Sequence, residues 1–165
     1  MSQRPFARRV AHLLRRFPWL VARTQKMWQM TRPRFSMGVV GVVLDDRNRV
    51  LLVEHVFHPY LPWGLPGGWV ERHEDPVSAL RRELDEELGM TVEIGPILAV
   101  QNEHGSHVDL AYLCRPTSPV NRLSFELLDH DWFDAGQLPR THAFHRLAIH
   151  RAWELTVSKL QTNEQ

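Results

Sequence analysis

From Met37 to Leu44 every residue but the two glycines is apolar, and such a run with four valines predicts a buried strand. Asp45-Asp46-Arg47-Asn48 then breaks the pattern as a turn, and Val50 to Val56 predicts the second strand of a hairpin-like pair. A loop from His58 to Trp63 leads to Leu65 and the glycine pair Gly67-Gly68, where the backbone can approach a ligand closely. The period changes after Asp75. Val77, Leu80, Leu84 and Leu88 recur at helical spacing, with Asp75 as N-cap, Pro76 in the first turn and Gly89 as the stop.

Strand character returns from Thr91 to Asn102, interrupted or bulged at Gly95-Pro96. Glu103-His104-Gly105-Ser106 reads as a turn, and His107 to Cys114 alternates as a further strand. Arg115 to Leu123 reads as a mobile, proline-containing loop, Leu128 to Phe133 as a short strand, and Ala143 to Leu160 as a closing helix. Strands on both sides of a central helix, with a second helix at the end, predict an α/β sandwich built on a mixed sheet.

The central helix carries more than a core stripe. Glu83, Glu86 and Glu87 stand at i, i+3 and i+4, so their carboxylates share a face and repel one another unless neutralised. A solvated acidic face is the plain alternative. A hard divalent cation such as Mg²⁺ is the usual neutraliser, and it brings phosphate groups with it. The spacing continues outward: Gly68, then Glu74 after five residues, Arg82-Glu83-Leu84 after seven more, then Glu86-Glu87 and Gly89-Met90.

That pattern resembles the Nudix box, G-x5-E-x7-R-E-u-x-E-E-x-G-u with u apolar, at every specified position. Outside those positions, His73 stands where many members carry a glycine. Trp132-Phe133 followed by Leu138-Pro139 also resembles the family's usual ending. The resemblance implies a Nudix-type α/β/α sandwich that hydrolyses a diphosphate joining a nucleoside to another moiety, with Mg²⁺, or alternatively Mn²⁺. It implies Glu86, Glu87 and the Gly67 carbonyl as metal ligands, and Glu83 as a ligand or as the base that activates water. Glu74 and Arg82 would support them, Arg82 holding the loop against the helix. A further carboxylate would come from a distant loop, with Glu126 the first choice and Asp131 the second. For the substrate itself, an NDP-sugar or ADP-ribose-like compound is preferred. A nucleoside triphosphate, or a nucleotide-binding or RNA-associated role without hydrolysis, is the alternative.

Substrate contacts are expected from His55, Gly67, Gly68 and Trp63, with His58, Tyr60, His104 and His107 as weaker candidates. Any one of these histidines is more readily explained as a surface or satisfied, partly buried residue.

The 165 residues, 43% hydrophobic and 24% charged, suit one globular domain with a proper core. Cys114, the single cysteine, excludes an internal disulfide, fits a cytoplasmic setting and reads as a core residue. No apolar run approaches the length of a transmembrane segment, and the start lacks the apolar stretch of a signal peptide. Charge is uneven. Residues 1–35 hold nine of the twenty basic residues and no acid; the remaining eleven face nineteen acids, which leaves the body at −8. Val10, Leu13, Leu14, Phe17, Leu20 and Val21 recur at helical period in that stretch. The division predicted is therefore a basic amphipathic helical arm over 1–35 and the catalytic domain over 36–165. The arm suits docking on the acidic body of its own chain or across a homodimer, or binding to RNA or an anionic membrane surface, and Trp19, Trp28 and Met30 favour burial of some kind.

Overall fold

The computed structural model describes residues 35–103 and 105–162, with Trp19 and Arg23 upstream. The chain divides into two compact units, Met1–Arg34 and Phe35–Gln165. The predicted arm lies outside the described residues apart from Phe35 and from Trp19 and Arg23, the last two helical. Trp19 is largely exposed.

In the larger unit, β1 (Ser36–Val43) and β2 (Val50–His55) are followed by the short β3 (Trp63–Gly64) and β4 (Gly67–Trp69). Helix α1 (Pro76–Leu88), β5 (Val92–Glu103), β6 (His107–Pro116), β7 (Leu127–Phe133) and α2 (Ala143–Thr162) complete it. A four-stranded mixed sheet has the order β4-β1-β6-β5, with β1 and β6 parallel. A three-stranded antiparallel sheet has the order β3-β2-β7.

Period-two alternation explains why helices cover both faces. Val39 and Val43 of β1 and Leu51 and Val53 of β2 share one core with Leu80, Leu84 and Leu88 of α1. The intervening Val42, Val50 and Leu52 point the other way, into a second core with Phe144, Ile149 and Ala152 of α2. The central residues of both strands are therefore apolar on both faces, and the architecture is α/β/α.

The hairpin reading of β1 and β2 needs correction. Only the single bridge Leu44↔Val50 joins their ends, and the chain changes sheets at the turn. Asp45 builds that turn by accepting from the Arg47 and Arg49 amides, which releases β2 toward β7 instead of back along β1. The segment 115–123 also differs from the mobile loop expected. Its first residues extend β6, the Thr117 amide donates to Thr91 O (2.9 Å), and the Ser118 hydroxyl accepts from the Thr91 amide (2.9 Å). Cys114 is a buried core residue, its thiol pushed up to about 12 by burial.

Candidate active site

Helix α1 is fixed at both ends by local chemistry. The Asp75 carboxylate accepts from the Val77 and Ser78 amides at 3.0 and 3.1 Å. Gly89 adopts a left-handed φ of 58°, and its amide and that of Met90 return to Asp85 O and Leu84 O. In the loop before the helix, His73 sits at φ 71°, which accounts for a glycine preference at that position.

Three segments border the cleft beside α1: β4, residues 55–58 and residues 121–126. Strand β4 brings Gly67 and Gly68 against the helix. The Gly67 amide donates to Glu87 Oε2 at 3.0 Å, and the Glu83 carboxylate packs directly on Gly68. The third segment, residues 121–126, caps the far end of α1. The Asn121 and Arg122 amides both donate to Leu88 O, the Ser124 amide to Glu87 O (2.8 Å), and the Asn121 side chain to Gly89 O (2.9 Å). Arg122 adds a 2.6 Å bond to Asp85 O. These bonds satisfy the last carbonyls of the helix, and the segment they hold delivers Glu126 to the cleft.

The cleft, about 340 Å³, is lined by His55, Phe57, His58, Gly67, Gly68, Trp69, Glu83, Glu87 and Glu126. Of the predicted residues, the structure therefore brings Glu83, Glu87, Glu126, His55, Gly67 and Gly68 together. Glu86 lies outside the lining, exposed and paired with Arg82. Arg82 joins the loop and helix. It donates to both carboxylate oxygens of Glu74, to Glu83 (2.8 Å), to Glu86 (3.2 Å) and to the Trp69 carbonyl (3.0 Å). The bidentate bond from Arg82 holds the Glu74 carboxyl below its ordinary range.

Other candidates fall elsewhere. Trp63 packs edge-on against Phe133 at 5.2 Å and lines a neighbouring cavity with Tyr60. Asp131 is exposed, its carboxylate takes the Trp132 amide at 2.7 Å, and it does not line the cleft. His107 is satisfied by Ser36 and Asp109, each at 2.9 Å. His104 lies outside the described residues.

Burial sets the electrostatics. Glu87 is 7% exposed, and desolvation, reinforced by the charges of Glu83, Glu126 and Glu86 against the Gly67 bond, pushes its carboxyl up to about 8. Glu83 is also raised, by burial first, although Arg82 opposes the shift. Among the described residues no three His, Cys, Asp or Glu side chains form an assembled metal cage. Glu83 and Glu86 lean on Arg82, and Glu87 on the Gly67 amide. The donor set nonetheless fits Mg²⁺ or Mn²⁺. It is all hard oxygen, and a buried carboxylate beside two others is the environment a divalent cation relieves.

A NUDIX domain model matches residues 34–152, which covers the whole of this constellation. The chain belongs to the Nudix family. It is 34% identical over 101 residues to a MutT-like protein of Streptomyces ambofaciens, covering 61% of this chain and 64% of that one. It is 32% identical over 128 residues to the human 8-oxo-dGDP phosphatase NUDT18, covering 77% of this chain and 39% of that one. The chain thus spans less than two thirds of the length of either relative. A MutT NUDIX hydrolase structure from Burkholderia pseudomallei superposes with a TM-score of 0.62 at 29% identity, over 73% of this chain and 98% of that one. Among the described residues no helix is long and apolar enough to cross a membrane.

Within this Nudix site, Gly68 gives a selective test. An added Cβ would stand 2.4 Å from Glu83 Cδ and close to both its oxygens, all at the free end of a side chain. Gly68→Ala is expected to melt near the wild type while its turnover falls roughly 10- to 100-fold, because Glu83 must leave its place. Equal turnover in the two proteins would show that the Glu83 position is unimportant.

Sequence reasoning missed His145. Its Nδ1 accepts from the Leu65 amide at 3.1 Å, 80 residues earlier in the chain, so the ring proton sits on Nε2. Burial, with the nearby charges of His142, His55 and His58, lowers it to about 3, and His55 falls to about 4 through burial and His58. Both folded values lie below the ordinary 6.5. The stability they contribute is present above that value and lost as pH falls toward 4 and then 3. The melting temperature should decline steadily below pH 6.5, and His145→Asn, which retains an acceptor near Nδ1, should flatten the decline. Identical acid profiles for the two proteins would refute the assignment.

Proposed function

We propose that this protein is a Mg²⁺-dependent pyrophosphohydrolase acting on a nucleoside diphosphate linked to a further moiety, such as ADP-ribose or an NDP-sugar. The observation that carries the reading is the charge of the cleft. Glu83, Glu87 and Glu126 line it, and none of its described lining residues is lysine or arginine. A cation held there can neutralise a diphosphate, whereas a triphosphate brings further negative charge that the described lining does not meet.

Glu83, Glu86 and Glu87, with the Gly67 carbonyl, would hold the ion, and Glu126 would approach from across the cleft. Bound there, the ion would neutralise charge on the non-bridging phosphate oxygens. Arg82 keeps Glu74, Glu83 and Glu86 in place. Glu83 lies where it can serve the ion or take the proton of the attacking water. The water oxygen adds to phosphorus, the bridging P–O bond breaks, and two phosphate monoesters leave. His55, neutral at physiological pH, contacts the substrate without adding charge.

The test is hydrolysis of ADP-ribose, UDP-glucose, dGTP and 8-oxo-dGDP in Mg²⁺, with products identified by mass spectrometry. AMP with ribose 5-phosphate, or UMP with glucose 1-phosphate, is expected, and a chelator should abolish both. Preference for dGTP with release of pyrophosphate would overturn the reading. The similarity to an 8-oxo-dGDP phosphatase favours, as a second reading, an oxidised nucleoside diphosphate as substrate.

The basic arm is proposed to dock across a homodimer, its nine positive charges facing a body of −8. Deleting residues 1–33 should lower either the mass seen by light scattering or the melting temperature. If neither changes, the arm has another role.

A further inference from the structure

A groove of about 600 Å³ shares no lining residue with the carboxylate cleft. Met90, Val120 and Trp132 give it apolar walls, and Arg49, Thr117 and His130 give it polar groups. Asp45 lines it too, but both oxygens of that carboxylate are occupied. Oδ1 accepts the Arg47 and Arg49 amides, and Oδ2 holds Arg49 Nε and Nη2, each at 2.8 Å. Arg49 Nη1 makes no hydrogen bond among the described residues, and the side chain stays 34% exposed. His130 Nδ1 is buried and lacks a partner among the described residues. A buried N–H without an acceptor is the costlier orphan, so the neutral ring keeps its proton on Nε2 and offers it as a donor. The free polar groups of Arg49 and His130 are therefore donors, between walls that suit a flat apolar body.

We infer that this groove is a second ligand site, taking a small aromatic carboxylate, and that its occupation is felt at the carboxylate cleft. A carboxylate accepts from Arg49 and His130 together. Asp45 already offsets half of the Arg49 pair, so one negative charge is matched better than the nearly two of a phosphate monoester. The coupling follows from the chain. Residues 116–120 line the groove, and the next six residues cap α1 and deliver Glu126 to the cleft. The chain then returns to the groove at His130 and Trp132, so the segment bearing Glu126 is anchored there at both ends. Met90, at the groove wall, follows Gly89, the stop of the helix that carries Glu83 and Glu87. A ligand seated on these residues bears on both elements that supply the cleft carboxylates.

The probe is naphthoate, compared by calorimetry with naphthalenemethanol, which lacks the charge, and with naphthyl phosphate, which carries more. The full chain is titrated beside Arg49→Gln and Thr117→Trp. Asp45 Oδ1 still holds the turn in the first variant, and the second places a large ring in the groove from an exposed position. Naphthoate should bind the wild type, weaken roughly 10- to 100-fold in Arg49→Gln, and be lost in Thr117→Trp. Saturating naphthoate should also shift the Mg²⁺ affinity of the wild type about 5-fold or more, and leave that of Thr117→Trp unchanged. No naphthoate binding at millimolar concentration, or equal binding to all three proteins, would overturn the site. Tighter binding of naphthalenemethanol or naphthyl phosphate would overturn the carboxylate assignment, and an unmoved Mg²⁺ affinity the coupling. None of these readouts requires turnover, so failure of the hydrolytic reading would show separately, as no cleavage of any nucleoside diphosphate derivative.

Discussion

Glu87→Gln is expected to lower kcat about a thousandfold, equivalent to about 4 kcal/mol of transition-state stabilisation. The side chain is buried among Glu83, Glu126 and the Gly67 amide, and glutamine keeps its size and an acceptor for that amide. Only the charge is removed, which separates a catalytic loss from a packing loss. The variant should therefore melt near the wild-type temperature. Steady-state hydrolysis at saturating Mg²⁺ reads the effect, and a rate within a few-fold of wild type would remove Glu87 from the proposed machinery.

Gly67→Ala should act in the opposite way, on the fold. Gly67 has φ 145°, and a Cβ there would stand 2.1 Å from Val39 O and 2.8 Å from Val40 Cα. Both atoms are backbone of β1, the strand between β4 and β6, so neither can move aside cheaply. Strain and overpacking together should cost about 3 kcal/mol or more. For a chain of this size that lowers the melting temperature by roughly 6–12 °C. An alanine variant melting within about 2 °C of wild type would show that the loop rearranges easily. The contrast with Gly68→Ala is informative. Neighbouring glycines meet immovable backbone in one case and the tip of a glutamate in the other.

Features set by neighbouring residues were legible in the sequence. The Asp75 cap, the Gly89 stop and the Leu80-Leu84-Leu88 stripe each depend on spacing within one helix, and the structure shows them in place. The separation of β1 and β2 into different sheets was not legible, because it is decided by partners such as β6 and β7 that lie far along the chain. Nor could spacing separate Glu126 from Asp131. Their difference lies in where the capped end of α1 and the β2–β7 pairing place each carboxylate. Trp63 was drawn toward the carboxylates by its nearness in sequence to Gly67, yet it turns to the neighbouring cavity. His145 carried a weak signal, a histidine in the first turn of the closing helix, and only the fold brings it to Leu65. For His73, the residue type gave no hint of a left-handed backbone beyond the family's preference for glycine.

The most direct measurement is a calorimetric titration of the full-length protein with Mg²⁺, repeated on Glu87→Gln and on Glu83→Gln. Saturable binding to the wild type, weakened at least tenfold in each variant while the melting temperatures stay close, is the expected result. Equal Mg²⁺ affinity in all three proteins would contradict it.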